Sequence, residues 1–232
     1  MNKKTPLNLY AKIEHLIGFY QEYEKLYDKY LQIIASLNPK SILDFGCGNG
    51  RLLERLKECG FDALGIDLSC DMIQKALLKG VKAYQKDIEE LSGNFELIIA
   101  VGDVLNYFNQ NELNDILSKI SSKLTPNGYF LADINTLHGF THVADGLLIK
   151  EDDEYFLAVE ANFQDKKLMT NFTLFEQNGE YYKKEQAVIE QYFHPLEYFK
   201  KLNLLHLKKT IPIRMFDEKT SDKSLMIFQK SP

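Results

Sequence analysis

Ser41-Ile42-Leu43-Asp44-Phe45-Gly46-Cys47-Gly48-Asn49-Gly50-Arg51 is a short apolar run that meets an acid and opens into alternating glycines. An apolar run bounded by a glycine loop predicts a strand buried on both faces of a parallel sheet. Arg51 to Cys59 has helical spacing, and Gly60 is placed to stop it. The loop therefore joins a strand to a helix, at the carboxyl edge where open α/β sheets bind ligands. Gly46, Gly48 and Gly50 let the backbone turn sharply and a ligand lie against it.

Working outward, the alternation continues. Strands are predicted at 63–66, 81–85, 95–100 and 129–134, with helices from Ser69 to Lys79 and from Asn111 to Leu124. Thr125-Pro126-Asn127-Gly128 reads as the turn that closes the second of these. Such alternation implies parallel strands with right-handed crossovers and so a doubly wound sheet. Upstream, residues 10–37 carry apolar and aromatic positions at helical spacing, stopped at Asn38-Pro39, and predict one or two amphipathic helices. Beyond residue 143 the rhythm becomes four successive strands, with Asn178-Gly179 as a hairpin signal, and this block should be antiparallel. A helix from Pro195 to Leu202 and a hairpin of strands at 204–213 and 224–229 complete the chain. The whole reads as one domain of 232 residues, with a core over about 38–134 and 195–232 and an antiparallel lid inserted over about 143–194.

The composition is that of an ordinary globular protein, 45% hydrophobic and 26% charged. A net charge of −5 argues against a general nucleic-acid binder, as does the small set of arginines, Arg51, Arg55 and Arg214. The three cysteines, Cys47, Cys59 and Cys70, show no metal spacing and suit a reducing compartment, so a cytoplasmic location is expected. Met1-Asn2-Lys3-Lys4-Thr5-Pro6 is followed by no continuous apolar stretch, so neither a secretory segment nor a membrane span is expected.

A dinucleotide fingerprint needs G-x-G-x-x-G. Here the third glycine comes one residue early and Arg51 occupies its place, which disfavours a nicotinamide oxidoreductase. Asp44 beside the loop repels a pyrophosphate and suits a ligand carrying ammonium and sulfonium charges. Asp67 ends the second strand, where a carboxylate accepts from two ribose hydroxyls. Asp87 ends the third, positioned for an adenine amino group with Ile88 over the ring, or simply as an exposed loop acid.

On Ile42 to Gly50, Gly65-Ile66-Asp67-Leu68-Ser69, Asp87-Ile88, Phe95-Glu96-Leu97-Ile98 and Leu124 to Phe130, the chain resembles the class I S-adenosylmethionine-dependent methyltransferases. The resemblance implies a Rossmann-like, mostly parallel seven-stranded sheet with N-terminal helices and an antiparallel lid. It implies that Gly46, Gly48 and Gly50 pack on the methionine and ribose parts of S-adenosylmethionine, Cys47 being a small filler in the loop. It further implies that Asp44 holds the amino end, Asp67 the ribose, and Leu68 and Met72 one face of adenine, with Asp87 and Ile88 on the other. Val101 and Gly102 fall near the sulfonium, and Tyr20 covers the cofactor if its helix folds over the mouth. Gly102-Asp103-Val104-Leu105-Asn106-Tyr107 replaces the proline-rich segment of base methylators. With Asp133-Ile134-Asn135-Thr136, it resembles a branch that methylates amines or hydroxyls of small metabolites.

Tyr107, His138 and His142 are the candidates for a base, the two histidines lying i, i+4; no third ligand at metal spacing accompanies them. A small-molecule methyltransferase is thus expected, with an RNA or protein methyltransferase and a non-catalytic cofactor-binding regulator as alternatives. The acceptor and the oligomeric state stay open.

Overall fold

The computed structural model describes residues 4–231. Met1-Asn2-Lys3, on which the expectation of no secretory segment partly rests, lies outside the described residues. The N-terminal stretch makes two helices, α1 (Lys4–Ile17) and α2 (Tyr20–Leu37). They part at Gly18, whose φ of +76° suits a residue without Cβ. Asn38 takes the left-handed conformation at the end of α2, its N–H returning to the Ile34 carbonyl.

The strands β1 (Ile42–Phe45), β2 (Ala63–Ile66), β3 (Ala83–Tyr84), β4 (Phe95–Ala100) and β5 (Leu124–Asn135) alternate with α3 (Arg51–Glu58), α4 (Cys70–Leu78) and α5 (Gln110–Lys123). With β10 (Leu205–Ile213) and β11 (Lys223–Lys230), they form one seven-stranded sheet in the order β10-β11-β5-β4-β1-β2-β3. The first five strands pair in parallel; β11 enters antiparallel to β5 and β10 antiparallel to β11. The strand order reverses between β1 and β4, so the glycine loop sits at the topological switch point.

Both faces of the sheet are covered, which explains its uninterrupted apolar runs. Ile42, Leu97 and Ile99 pack against Leu26, Tyr30 and Ile34 of α2 and Leu52 and Leu56 of α3. Their neighbours Leu43, Phe45, Ile98 and Ala100 face Leu113, Ile116, Leu117 and Ile120 of α5.

Three boundaries in this part of the chain differ from the sequence expectation. β3, expected over 81–85, pairs only at Ala83 and Tyr84, because it is the sheet edge and has one partner. Asn109 and Glu112 form a capping box that starts α5 at Gln110. Thr125-Pro126-Asn127-Gly128 is not a separate turn: it bulges inside β5, with Asn127 at φ +61° and the register against β4 shifting there.

The second sheet holds β6 (Gly146–Glu151), β7 (Tyr155–Gln164), β8 (Lys167–Asn178) and β9 (Tyr181–Tyr192), all antiparallel in that order. Its inner face offers Leu157, Val159, Phe172, Leu174 and Ile189 to Leu9 and Ile13 of α1. A π-helical turn, Gly139–Ala144, leads into it from β5. The short α6 (Leu196–Phe199) leads out, ending earlier than the expected Leu202. Among the described residues no helix is long and apolar enough to cross a membrane.

Candidate functional site

The glycine loop is fixed by its own backbone. The N–H groups of Gly46 and Cys47 both donate to the Ile66 carbonyl, at 2.8 and 3.0 Å, and tie the turn to β2. At Gly46 a Cβ would come within 2.9 Å of Val104, so only glycine fits beneath that residue. Gly48, at φ +52°, has open space where a Cβ would be.

The loop opens on a cavity of about 1400 Å³ between the carboxyl edge of the main sheet, α1, α2 and the second sheet. The structure brings Gly46, Cys47, Gly48, Asp67, Leu68 and Met72 to its wall, together with Asp87, Val101, Gly102 and Tyr20. Tyr107, His138 and His142 line the same cavity. Asp44, Gly50 and Ile88 stand behind the wall. Ile88 is fully buried in the main core, so the adenine face expected of it is not presented to the cavity. Gly50 faces α4: its Cβ would meet Ala76 at 2.8 Å, making it a close-packing glycine rather than a lining one.

Asp67 Oδ2 accepts from Gly48 N at 2.9 Å and Oδ1 from Ser69 N at 2.8 Å. Each oxygen keeps a further lone pair for a ligand. Asp44 lies one strand away and is 2% exposed; burial first, and the charge of Asp67 second, push its carboxyl up to about 8. Among the described residues no group donates a hydrogen bond to it, so an acid without a donor lies just beneath the glycine loop. Asp87 spends its carboxylate at home, capping the 3-10 turn Ile88–Glu90 by accepting from Ile88 N. Burial drives the Cys47 thiol well above its ordinary pKa, which removes it as a nucleophile.

α1 closes one side. Glu14 accepts from Asn49 Nδ2 of the glycine loop at 3.0 Å and pairs with Lys75 of α4 at 2.8 Å. Lys12 reaches the other way, to Glu176 and Glu185 of the second sheet. Tyrosines crowd the floor. The Tyr23 ring stands 3.2 Å from where a Gly102 Cβ would lie, and burial holds Tyr10, Tyr23 and Tyr107 un-ionised.

Below them lies a polar network that the sequence did not reveal. Asp103, at φ +55°, accepts from Lys223 Nζ at 2.6 Å, Asn135 Nδ2 at 3.0 Å and Gln191 Nε2 of β9. Asp133 accepts from Tyr30 Oη, Gly102 N and Asp103 N. Asn106 donates to the Tyr192 carbonyl, a second tether to β9. The one sequence signal for this network is a lysine heading an apolar strand, Lys223 before Ser224-Leu225-Met226.

Carboxylates outnumber ammonium and guanidinium groups along the cavity wall. Arg51 is held by Glu24 and lies over the Tyr20 ring, and Lys223 is held by Asp103. The site can therefore hold a cationic ligand against tyrosine faces and carboxylates. The set of a glycine cradle, an acid without a donor and an acid at the rim fits S-adenosylmethionine. Among the described residues no cluster suited to a metal ion occurs.

Comparisons with known proteins agree with this chemistry. The family described as a methyltransferase domain matches residues 18–179. A putative methyltransferase of Bacillus subtilis is 29% identical over 204 residues, 80% of this chain and 83% of that protein. Among solved structures, an S-adenosylmethionine-dependent methyltransferase of Clostridium acetobutylicum superposes with a TM-score of 0.79 at 24% identity, over 97% of this chain and all of that one. An amino pentose methyltransferase of Micromonospora echinaspora, solved with S-adenosylmethionine bound, superposes at 0.69 with 16% identity, over 96% of this chain and 97% of that one.

Proposed function

The chain belongs to the methyltransferase domain family and is an S-adenosylmethionine-dependent methyltransferase, and from that premise we propose that it methylates an amine of a small molecule. The size of the cavity carries this reading. A single ligand commonly occupies roughly 300–1,000 Å³, so a space of about 1400 Å³ walled by α1 and the second sheet takes the cofactor and a small acceptor together.

In this proposal Asp67 accepts from the ribose hydroxyls, while Leu68 and Met72 flank adenine with Asp87 near its edge. The backbone at Gly46 and Gly48 supports the methionine part, and Asp44, charged once a cation is near, favours its amino group from beneath the loop. Bound S-adenosylmethionine supplies a methyl group on a sulfonium, already activated for displacement. The protein's part is then alignment and exclusion of water. Tyr10, Tyr23 and Tyr107 wall the transfer point with π faces, and the surplus of carboxylates favours a cationic amine over a carboxylate or phosphate acceptor. The resemblance of the whole chain to an amino pentose methyltransferase supports the same class.

The test is methyl transfer from radiolabelled S-adenosylmethionine to matched small amines, alcohols and acids, with transfer RNA and bulk protein alongside. Transfer to amines alone is expected. Transfer only to the macromolecules, or to none of the panel despite tight cofactor binding, would overturn the reading.

A further inference from the structure

Two stacked histidines line the cavity. The His138 and His142 rings lie 4.7 Å apart with an 18° tilt. His138 Nε2 lies 2.8 Å from Asp217 Oδ2. Asp217 Oδ1 accepts from Lys219 N and Thr220 N, and these bonds hold its carboxyl below the usual range. An ionised carboxylate only accepts, so His138 Nε2 carries the proton, and the neutral ring's Nδ1 is a bare acceptor. The second ring is fixed in the opposite sense. Thr141 Oγ1 donates its single proton to the Leu137 carbonyl at 2.9 Å. The 2.6 Å contact between Thr141 Oγ1 and His142 Nδ1 therefore has His142 donating, and His142 Nε2 is bare.

The frame around the pair is rigid. Asp222 Oδ2 accepts from the backbone N–H groups of Met215, Phe216 and Asp217. Thr136 Oγ1 donates to the Ser221 carbonyl, and a Cβ on Gly139 would strike the Asp222 carbonyl at 2.2 Å. The π-helical turn and the loop between β10 and β11 are thus locked together, and they hold two oriented imidazoles in the lining of the cavity.

We propose that this pair is the proton-accepting element of the acceptor site, with His138 Nδ1 taking a proton from the acceptor's nitrogen. The inference rests on the amine reading above. An ammonium N–H bond breaks toward His138 Nδ1, and the pair of electrons left on nitrogen forms the bond to the methyl carbon. The carbon–sulfur bond breaks with its electrons to sulfur, and the imidazolium returns its proton to solvent. Asp217 contacts the pair directly, and the other charged groups that line the cavity from these elements are Glu218 from the β10–β11 loop, Asp222 just before β11, Lys223 at its start and Asp145 after the π-helical turn. Acids predominate, so a transient imidazolium is compensated.

Two measurements decide the matter. Long-range proton–nitrogen NMR of the protein loaded with S-adenosylhomocysteine should show neutral His138 protonated on Nε2 and neutral His142 on Nδ1; the opposite tautomer at His138 overturns the proposal. Methyl transfer to glucosamine, spermidine and glycine should fall roughly a hundredfold in kcat at neutral pH in His138→Gln. Cofactor affinity should be unchanged, and activity should recover as pH approaches the amine's own pKa. Asp217→Asn should show a smaller loss with the same recovery. A variant as fast as the parent at neutral pH, or a loss that no pH restores, overturns the role. Absence of transfer by the parent to any of the three amines counts against the amine reading instead, and the tautomers still decide the pair.

Discussion

Asp67 at the end of β2 accepts a hydrogen bond from Gly48 N in the loop after β1, at 2.9 Å, beside the sheet's switch point. The acid and the glycine form one surface: the carboxylate sets the loop and the loop aims the carboxylate. Asp67→Ala removes charge-assisted bonds worth about 1.5–3 kcal/mol each to a ligand, so S-adenosylmethionine affinity should fall by roughly 10- to 100-fold. Calorimetric titration measures this, and an unchanged dissociation constant would take Asp67 out of the cofactor site.

The two outer roles of the glycine loop are separable. Gly48 faces open space and lines the cavity, whereas Gly50 faces Ala76 and Val81. Both have positive φ, so alanine at either carries a left-handed cost of about 1–2 kcal/mol. Gly50→Ala adds overpacking of about 1–3 kcal/mol and should lower the melting temperature more. Gly48→Ala should retain more stability but lose more cofactor affinity. Thermal melts and titrations on the two variants check the crossover.

Asp44 makes stability depend on pH. Its folded pKa of about 8 lies above the ordinary carboxylate value, so the protonated form is favoured by folding. The associated stability is complete below about pH 4 and is lost as pH rises through 8. Without cofactor, Asp44→Asn should therefore gain stability relative to the parent as pH rises over that window, and it should bind S-adenosylmethionine more weakly. Parallel urea titrations at pH 5 and pH 9 supply the comparison. A parallel pH profile in parent and variant would show that Asp44 does not titrate in this range.

How much of this was legible beforehand follows from sequence distance. The strand of Ile42 to Phe45, its loop and the acid at Asp67 could be read because the pattern is local: apolar runs, a glycine spacing and an acid one β–α unit later. The lid strands could be read for the same reason, from Asn178-Gly179 and the alternation around it. Asp87 and Ile88 were harder, since a capping box uses the same acid–apolar pair that a ligand contact would. The pairing of Lys223 with Asp103 joins residues 120 positions apart, and no periodicity announces it. The partner of His138 was hidden likewise, because Asp217 lies on a loop 79 residues downstream.

That hidden pairing gives the sharpest test of what holds the cavity floor. Lys223 is 3% exposed, and burial alone would lower its pKa, yet Asp103 and Asp133 outweigh burial and keep its ammonium charged. Removing one partner of a buried pair strands the other charge, at a cost of about 3–5 kcal/mol. Lys223→Met should therefore destabilise strongly, because Asp103 and Asp133 are left without their cation. Adding Asp103→Asn removes one stranded charge while keeping a group able to accept from Asn135 or Gln191. The double variant should recover part of the loss, and urea unfolding of the four proteins in the cycle measures the coupling. Gln191 and Asn106 tether β9 to the same floor, so Lys223→Met should also loosen the lid. Faster amide exchange along Glu190–Tyr192 would show it; unchanged exchange there, with stability lost, would confine the pair to the core sheet.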